Sequence, residues 1–248
     1  MAAQVTSQLI LHPVISQSLR FGNTTVGRDK TYRAIQYFAR FIAWYLLARG
    51  NKLGAARWNA LKTHLGTARK LLRLGKPMEH LQAALHAAFA SAPPTEQITT
   101  IARQLAYFGY LSADALVWAQ SIKFLNLKST TAQRIARIAN RFWLAGILIS
   151  IAHGITKAGR LTNEAKKLKN TPIGEKSVGA DAERQAKLST LLAARGANRE
   201  QFTIDVLDVW IPAAALGLVN VNDGLLGLFG LMSSGIAWKK QWQAVNGK

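Results

Sequence analysis

The chain has 248 residues, with 32 Lys plus Arg against 12 Asp plus Glu for a net charge of +20, 49% hydrophobic residues, a mean hydropathy of +0.06 and no cysteine. The length admits one large or two small domains, and the missing cysteine excludes disulfides, thiolate metal sites and cysteine nucleophiles. A nucleic-acid binder would share the charge but would not carry long apolar runs, whereas a protein in contact with anionic lipid needs both.

In chain order, residues 1–20 show no basic region ahead of their short apolar piece and are interrupted by Pro13, so they do not read as a secretory signal. Gly22 and Gly27 have the spacing of a phosphate loop, but Arg28-Asp29 stands where Lys-Ser or Lys-Thr is required, and a turn is the better reading. Residues 31–48, TYRAIQYFARFIAWYLLA, predict a helix whose only charges are Arg33 and Arg40. Its Ile35, Phe38, Ile42, Tyr45 and Leu46 form a wide apolar face suited to a core or a bilayer interface. Gly50-Asn51 and Gly54 then punctuate the chain.

Residues 61–76, LKTHLGTARKLLRLGK, are amphipathic at helical spacing. Leu61, Leu65, Ala68, Leu71 and Leu72 gather on one face and Lys62, Arg69, Lys70, Arg73 and Lys76 on the opposite flank, with no carboxylate in the segment to neutralise them. The segment either packs over a core with a solvated basic face or lies on something negatively charged. It sits in an acid-free run between Lys30 and Met78 that holds eleven Lys or Arg; a second acid-free run covers residues 115–163.

Gly75-Lys76-Pro77 predicts a break, followed by an Ala- and Leu-rich helix that ends before Pro93-Pro94. Residues 95–122 predict a further helix capped by Thr95. Residues 142–156, FWLAGILISIAHGIT, carry no Asp, Glu, Lys or Arg and rise only about 22 Å, which is short for a hydrocarbon core of roughly 30 Å. They are a marginal span that Arg141 and Lys157 could extend by snorkelling, or a buried helix. Residues 159–201 are polar and predict a loop with one exposed helix. Asp205 and Asp208 read as charge complements to the start of the next helix.

Residues 209–238 are long enough to cross a membrane but hold Asn220, Asn222 and Asp223 at their centre. These polar residues either lie at depth, as pore or helix-packing positions, or mark a turn between two shorter helices; a restart near Asn222 or Asp223 is favoured. Gly224, Gly227 and Gly230 then give a small-residue face for close helix contact, and Trp238-Lys239-Lys240 an interfacial anchor. His12, His64, His80, His86 and His153 have no metal-ligand spacing, and no sequence motif nominates a catalytic group or a cofactor site. Expected regions are 1–94 (amphipathic, membrane-remodelling), 95–158 (central helices with the first candidate span), 159–204 (polar loop and helix) and 205–248 (C-terminal membrane segment and basic tail).

Four stretches, NTTVGRDKTYRAIQYFARFIAWYL (23–46), TARKLLRLGKPMEHLQAA (67–84), RIANRFWLAGI (137–147) and DVLDVWIPAAALGLVNVNDGLLGLFGLMSS (205–234), resemble the peroxin-eleven family of peroxisomal membrane proteins, above all its fungal members. The resemblance implies an all-α, integral peroxisomal membrane protein, a helical bundle with amphipathic helices and one to two transmembrane segments. It implies homo-oligomerisation, elongation of the membrane before peroxisome division and recruitment of dynamin-type fission machinery, with a pore for small metabolites or ions as the alternative. Carried onto this chain, the family's inserting helix matches residues 61–76, with continuation into Met78, His80 and Leu81. Its leucines would enter the bilayer, and its cations would bind the anionic headgroups of a phospholipid membrane.

Overall fold

A computed structural model describes residues 10–170 and 178–247, all of whose regular structure is helical. The N-terminal reading over residues 1–9 and part of the expected polar loop, residues 171–177, lie outside the described residues. The elements are α1 (Pro13–Asn23), α2 (Thr25–Ala48), α3 (Lys52–Leu71), α4 (Lys76–Phe89), α5 (Pro94–Ser121), α6 (Ser129–Asn170), α7 (Val178–Asp208), the short α8 (Trp210–Ala215) and α9 (Asp223–Asn246).

Local chemistry sets most boundaries. Thr24 caps α2 by accepting from the Gly27 amide at 2.9 Å, and Asn51 caps α3 by accepting from Gly54 at 2.8 Å. Gly50, at φ +79°, supplies the left-handed residue that turns the chain between them. The expected Thr95 cap is corrected. Pro94 opens α5, its fixed φ suiting a first helical position, and places Thr95 inside the first turn.

Neighbours in sequence pack as antiparallel hairpins. α2 meets α3 through Phe38 and Trp58, whose rings lie edge to face at 5.8 Å, and α5 meets α6 where Tyr110 stacks on Trp143 at 5.3 Å. α9 returns along α2, with Gly224, Gly227 and Gly230 against Trp44, Phe41 and Tyr37. A Cβ on Gly227 would lie 2.8 Å from the Phe41 backbone nitrogen, so a glycine is what lets the two helices approach there. The expected small-residue face exists, and its partner is α2 of the same chain.

One longer-range expectation is corrected. Residues 159–170 continue α6, and residues 178–208 form a second long helix against it, because the polar side chains there serve an interhelical contact. The apolar run 209–238 is divided into α8, a turn and α9, in keeping with the favoured restart near Asn222 or Asp223. Asn222 caps α9 by accepting from Leu225 at 2.9 Å, while Gly217 takes φ +74°. Among the described residues, α6 alone is long and apolar enough to cross a membrane.

Candidate membrane interface and buried ionic core

The interior of the bundle is unusually polar. Buried side chains include Asp29, Arg33, Arg69, Asp114, Asp205 and Asp208, while alanines supply most of the buried apolar positions. Arg33 of α2 donates through Nη2 to both carboxylate oxygens of Asp208 at 2.6 Å, and Ser233 of α9 donates to the same carboxylate. Asp205 accepts from Ser150 at 2.6 Å and from Gln201 at 2.9 Å. Both aspartates close α7 and face inward, so their expected role at the start of a following helix is corrected: the partner that fixes Asp208 is 175 residues away.

The same core takes in much of the basic segment. Arg69 donates to Asp29 at 3.0 Å and to Gln36 at 2.7 Å. Lys70 and Arg73 both pair with Asp114 of α5 at 2.9 Å, and Arg73 also reaches the Tyr110 hydroxyl. The expectation that nothing neutralises these cations is therefore corrected, since the acids come from other helices. Lys76 pairs with Glu79 three residues on at 2.6 Å, and Lys62 has no ion pair among the described residues. Nor is 61–76 one helix: α3 ends at Leu71, and α4 begins at Lys76 behind Gly75 and ahead of Pro77, where the sequence predicts a break. Leu61 and Leu71 are exposed, and Leu65, Ala68 and Leu72 are half-buried.

Electrostatics follow from this crowding. Burial alone would raise the Asp29 carboxyl, but Arg69, Lys30 and Arg73 outweigh it and hold it below its usual range. Lys30 goes the other way: burial, then Arg33, only partly offset by Asp29, bring its ammonium down to about 8.

The outside of the bundle carries large apolar side chains beside its exposed cations. On α2 the apolar face that suits a core or a bilayer interface is turned outward, with Ile35, Phe38 and Tyr45 exposed and Arg33, Tyr37 and Ala43 inside. The same holds for Ile98 and Leu105 on α5, for Ile138, Phe142, Leu148 and Ile155 on α6, and for Leu225, Leu228 and Met232 on α9. Only 22% of the most apolar 18-residue window of α6 is buried. α4 adds a ridge of Met78, Leu85 and Phe89, spaced seven and four residues apart and 64, 56 and 88% exposed. The sequence reading reached Met78 as a continuation of the basic segment but not Leu85 and Phe89, which lie further along α4. Asn220, Asn222 and Asp223 are exposed at the α8–α9 turn, with Asp223 accepting from Arg40 at 2.6 Å.

This arrangement can be compared with known proteins. The family model for peroxisomal biogenesis factor 11 (PEX11) matches residues 15–242. The chain belongs to the PEX11 family. It is 26% identical to peroxisomal membrane protein PMP27 of Saccharomyces cerevisiae, over 97% of this chain and 99% of that protein. It is 25% identical to PMP30B of Candida boidinii, over 97% and 98%, and 26% identical to peroxisomal biogenesis factor 11 of Schizosaccharomyces pombe, over 93% and 96%. No solved structure matches it. As a PEX11 protein of this kind, the chain is a peroxisomal membrane protein from a family of peroxisome biogenesis factors. The exposed apolar faces of α2, α5, α6 and α9 have an obvious counterpart in lipid.

Proposed function

We propose that this PEX11 protein elongates the peroxisomal membrane ahead of division by seating its bundle in the bilayer and pressing the exposed ridge of α4 into one leaflet. The observation that carries the reading is the inverted distribution of polarity: ionised pairs inside, large apolar side chains outside. In water, contiguous apolar patches of this kind are disfavoured; in hydrocarbon they are matched by the solvent, and polar groups are driven to pair within the bundle. Residues 142–156 of α6 provide the crossing segment. Met78, Leu85 and Phe89 act as the wedge, with Leu61 and Leu71 extending it along α3. Headgroup attraction of roughly 1 kcal/mol per cation comes from side chains not already committed inside, Lys62 first among those named from sequence. Arg69, Lys70 and Arg73 instead hold the α3–α4 corner to Asp29 and Asp114.

Wedging expands one leaflet relative to the other and favours curvature, and self-association concentrates many wedges on one tubule. Apolar outer faces on α6 and α9 suit contacts between copies, and the elongated membrane is the substrate on which dynamin-type fission machinery acts. Membrane elongation is preferred here to the pore alternative because, of Asn220, Asn222 and Asp223, Asn222 caps α9 and Asp223 accepts from Arg40.

The experiment is reconstitution of the full chain with anionic and neutral liposomes, read by electron microscopy. Wild type is expected to draw tubules from the anionic set. Leu85→Glu combined with Phe89→Glu should abolish them without lowering the thermal midpoint, since both side chains are exposed. Tubules undiminished in that variant would overturn the assignment.

A further inference from the structure

A half-enclosed cavity of ≈ 740 Å³ lies among the helices, within the size range of small-molecule sites. Its wall carries seven Lys and Arg side chains against five Asp and Glu. The excess comes from Lys30, Arg33, Arg69, Lys70 and Arg73, which share Asp29, Asp114 and Asp208. The arginines are committed: Arg33 holds both oxygens of Asp208, Arg69 spans Asp29 and Gln36, and Arg73 spans Asp114 and Tyr110. The lysines are not. The contact of Lys30 with Asp29 is long, at 3.9 Å, and Lys70 makes a single pair, so each ammonium keeps donors that the protein does not use. Lys240 adds a third, with no ion pair among the described residues. Beside these cations the wall turns aromatic, with Tyr107, Tyr110 and Trp143.

We propose that this cavity binds a phosphate monoester, its head held by Lys30, Lys70 and Lys240 and its organic part set against Tyr107, Tyr110 and Trp143. A monoester carries close to two negative charges near neutral pH and three acceptor oxygens, which matches a two-charge excess supplied by under-used ammonium donors. A carboxylate would leave half of that excess unbalanced. The depressed Lys30 ammonium is consistent, since a proton held weakly among like charges is held more firmly beside a dianion. The chemistry is shared by a phosphatidic-acid headgroup and by a water-soluble phosphorylated metabolite. The inference concerns binding within one chain and rests on the cavity, not on the membrane-shaping reading.

The test uses the full chain in two arms. In neutral detergent, phenyl phosphate is titrated by calorimetry. In phosphatidylcholine nanodiscs, phosphatidic acid is added and its phosphorus resonance followed. Saturable one-site binding in either arm supports the proposal and identifies the source. Lys30→Gln and Lys70→Gln should each weaken it at least tenfold, Lys30→Arg should retain it, and Lys240→Gln, which disturbs no ion pair, should weaken it several-fold. Lys62→Gln, outside the cavity, should leave it unchanged. No saturable binding in either arm, undiminished binding in Lys30→Gln and Lys240→Gln, or an equal loss in Lys62→Gln would overturn the site. Tubulation that persists when binding is lost, or the reverse, separates this inference from the membrane-shaping one.

Discussion

Arg33 and Asp208 show what a buried charge does for this bundle. Each needs the other, because an ion left alone in a low-dielectric interior carries a desolvation cost that nothing repays. Asp208→Ala is expected to destabilise the chain by about 3–5 kcal/mol, and pairing it with Arg33→Met should recover most of that loss, as chemical unfolding in mild detergent would report. Gly227 works by absence: with its Cβ position 2.8 Å from the Phe41 nitrogen, Gly227→Leu must push α9 off α2, at a cost of about 1–3 kcal/mol or more in the same measurement. Lys30 gives a pH signature. Its ammonium titrates at about 8 in the folded chain against 10.5 when free, so below pH 8 both states hold the proton and the folded state bears the whole penalty. Between those values the unfolded chain binds more protons and stability rises with pH. Lys30→Met is therefore expected to exceed wild type by about 1–3 kcal/mol at pH 7, an advantage that shrinks towards pH 10.5. Asp29 has the opposite sense: held below its usual range, it contributes stability that is lost as acid protonates it.

At the scale of the element, the corner between α3 and α4 joins the ionic core to the outer ridge. Lys70 and Arg73 meet Asp114 just before the break, and Met78 begins the ridge just after it. Asp114→Asn removes the charge that both cations share, and should free the corner. The expected result is stronger binding to anionic vesicles in a sedimentation assay, steeply reduced by added salt, together with a lower thermal midpoint. Unchanged vesicle binding would show that the two cations stay inside without their carboxylate. α6 contributes differently. Its apolar residues 142–156 are only about 22 Å long, yet the helix runs through Ser129–Asn170, well beyond the roughly 30 Å of a hydrocarbon core.

For the whole molecule, inverted polarity has a direct consequence for extraction. A bundle whose outer faces are apolar and whose ions are paired inside should remain with the membrane through high salt and alkaline carbonate, and leave it only with detergent. A chain attached by its +20 charge alone would be released by salt, because surface electrostatics are screened over about 10 Å at 0.1 M. Fractionation of peroxisomal membranes decides between the two.

The sequence by itself determined the helical class, the capped start of α9 at Asn222, the break at Gly75 and the glycine face of α9, because each depends on side chains within a few residues of the backbone they control. It also carried the family, through residues spread over nearly the whole chain. It could not decide which face of a helix is inside. Periodicity finds a stripe of Ile35, Phe38 and Tyr45 but is silent on whether water, lipid or protein covers it, and the physics of packing reverses between those surroundings. Nor could it pair Arg69 with Asp29, Arg73 with Asp114 or Arg33 with Asp208, which lie 40, 41 and 175 residues apart. Only the tertiary structure brings those acids to the basic segment, setting Arg69 against Asp29 and Lys70 and Arg73 against Asp114, and leaves Met78, Leu85 and Phe89 exposed.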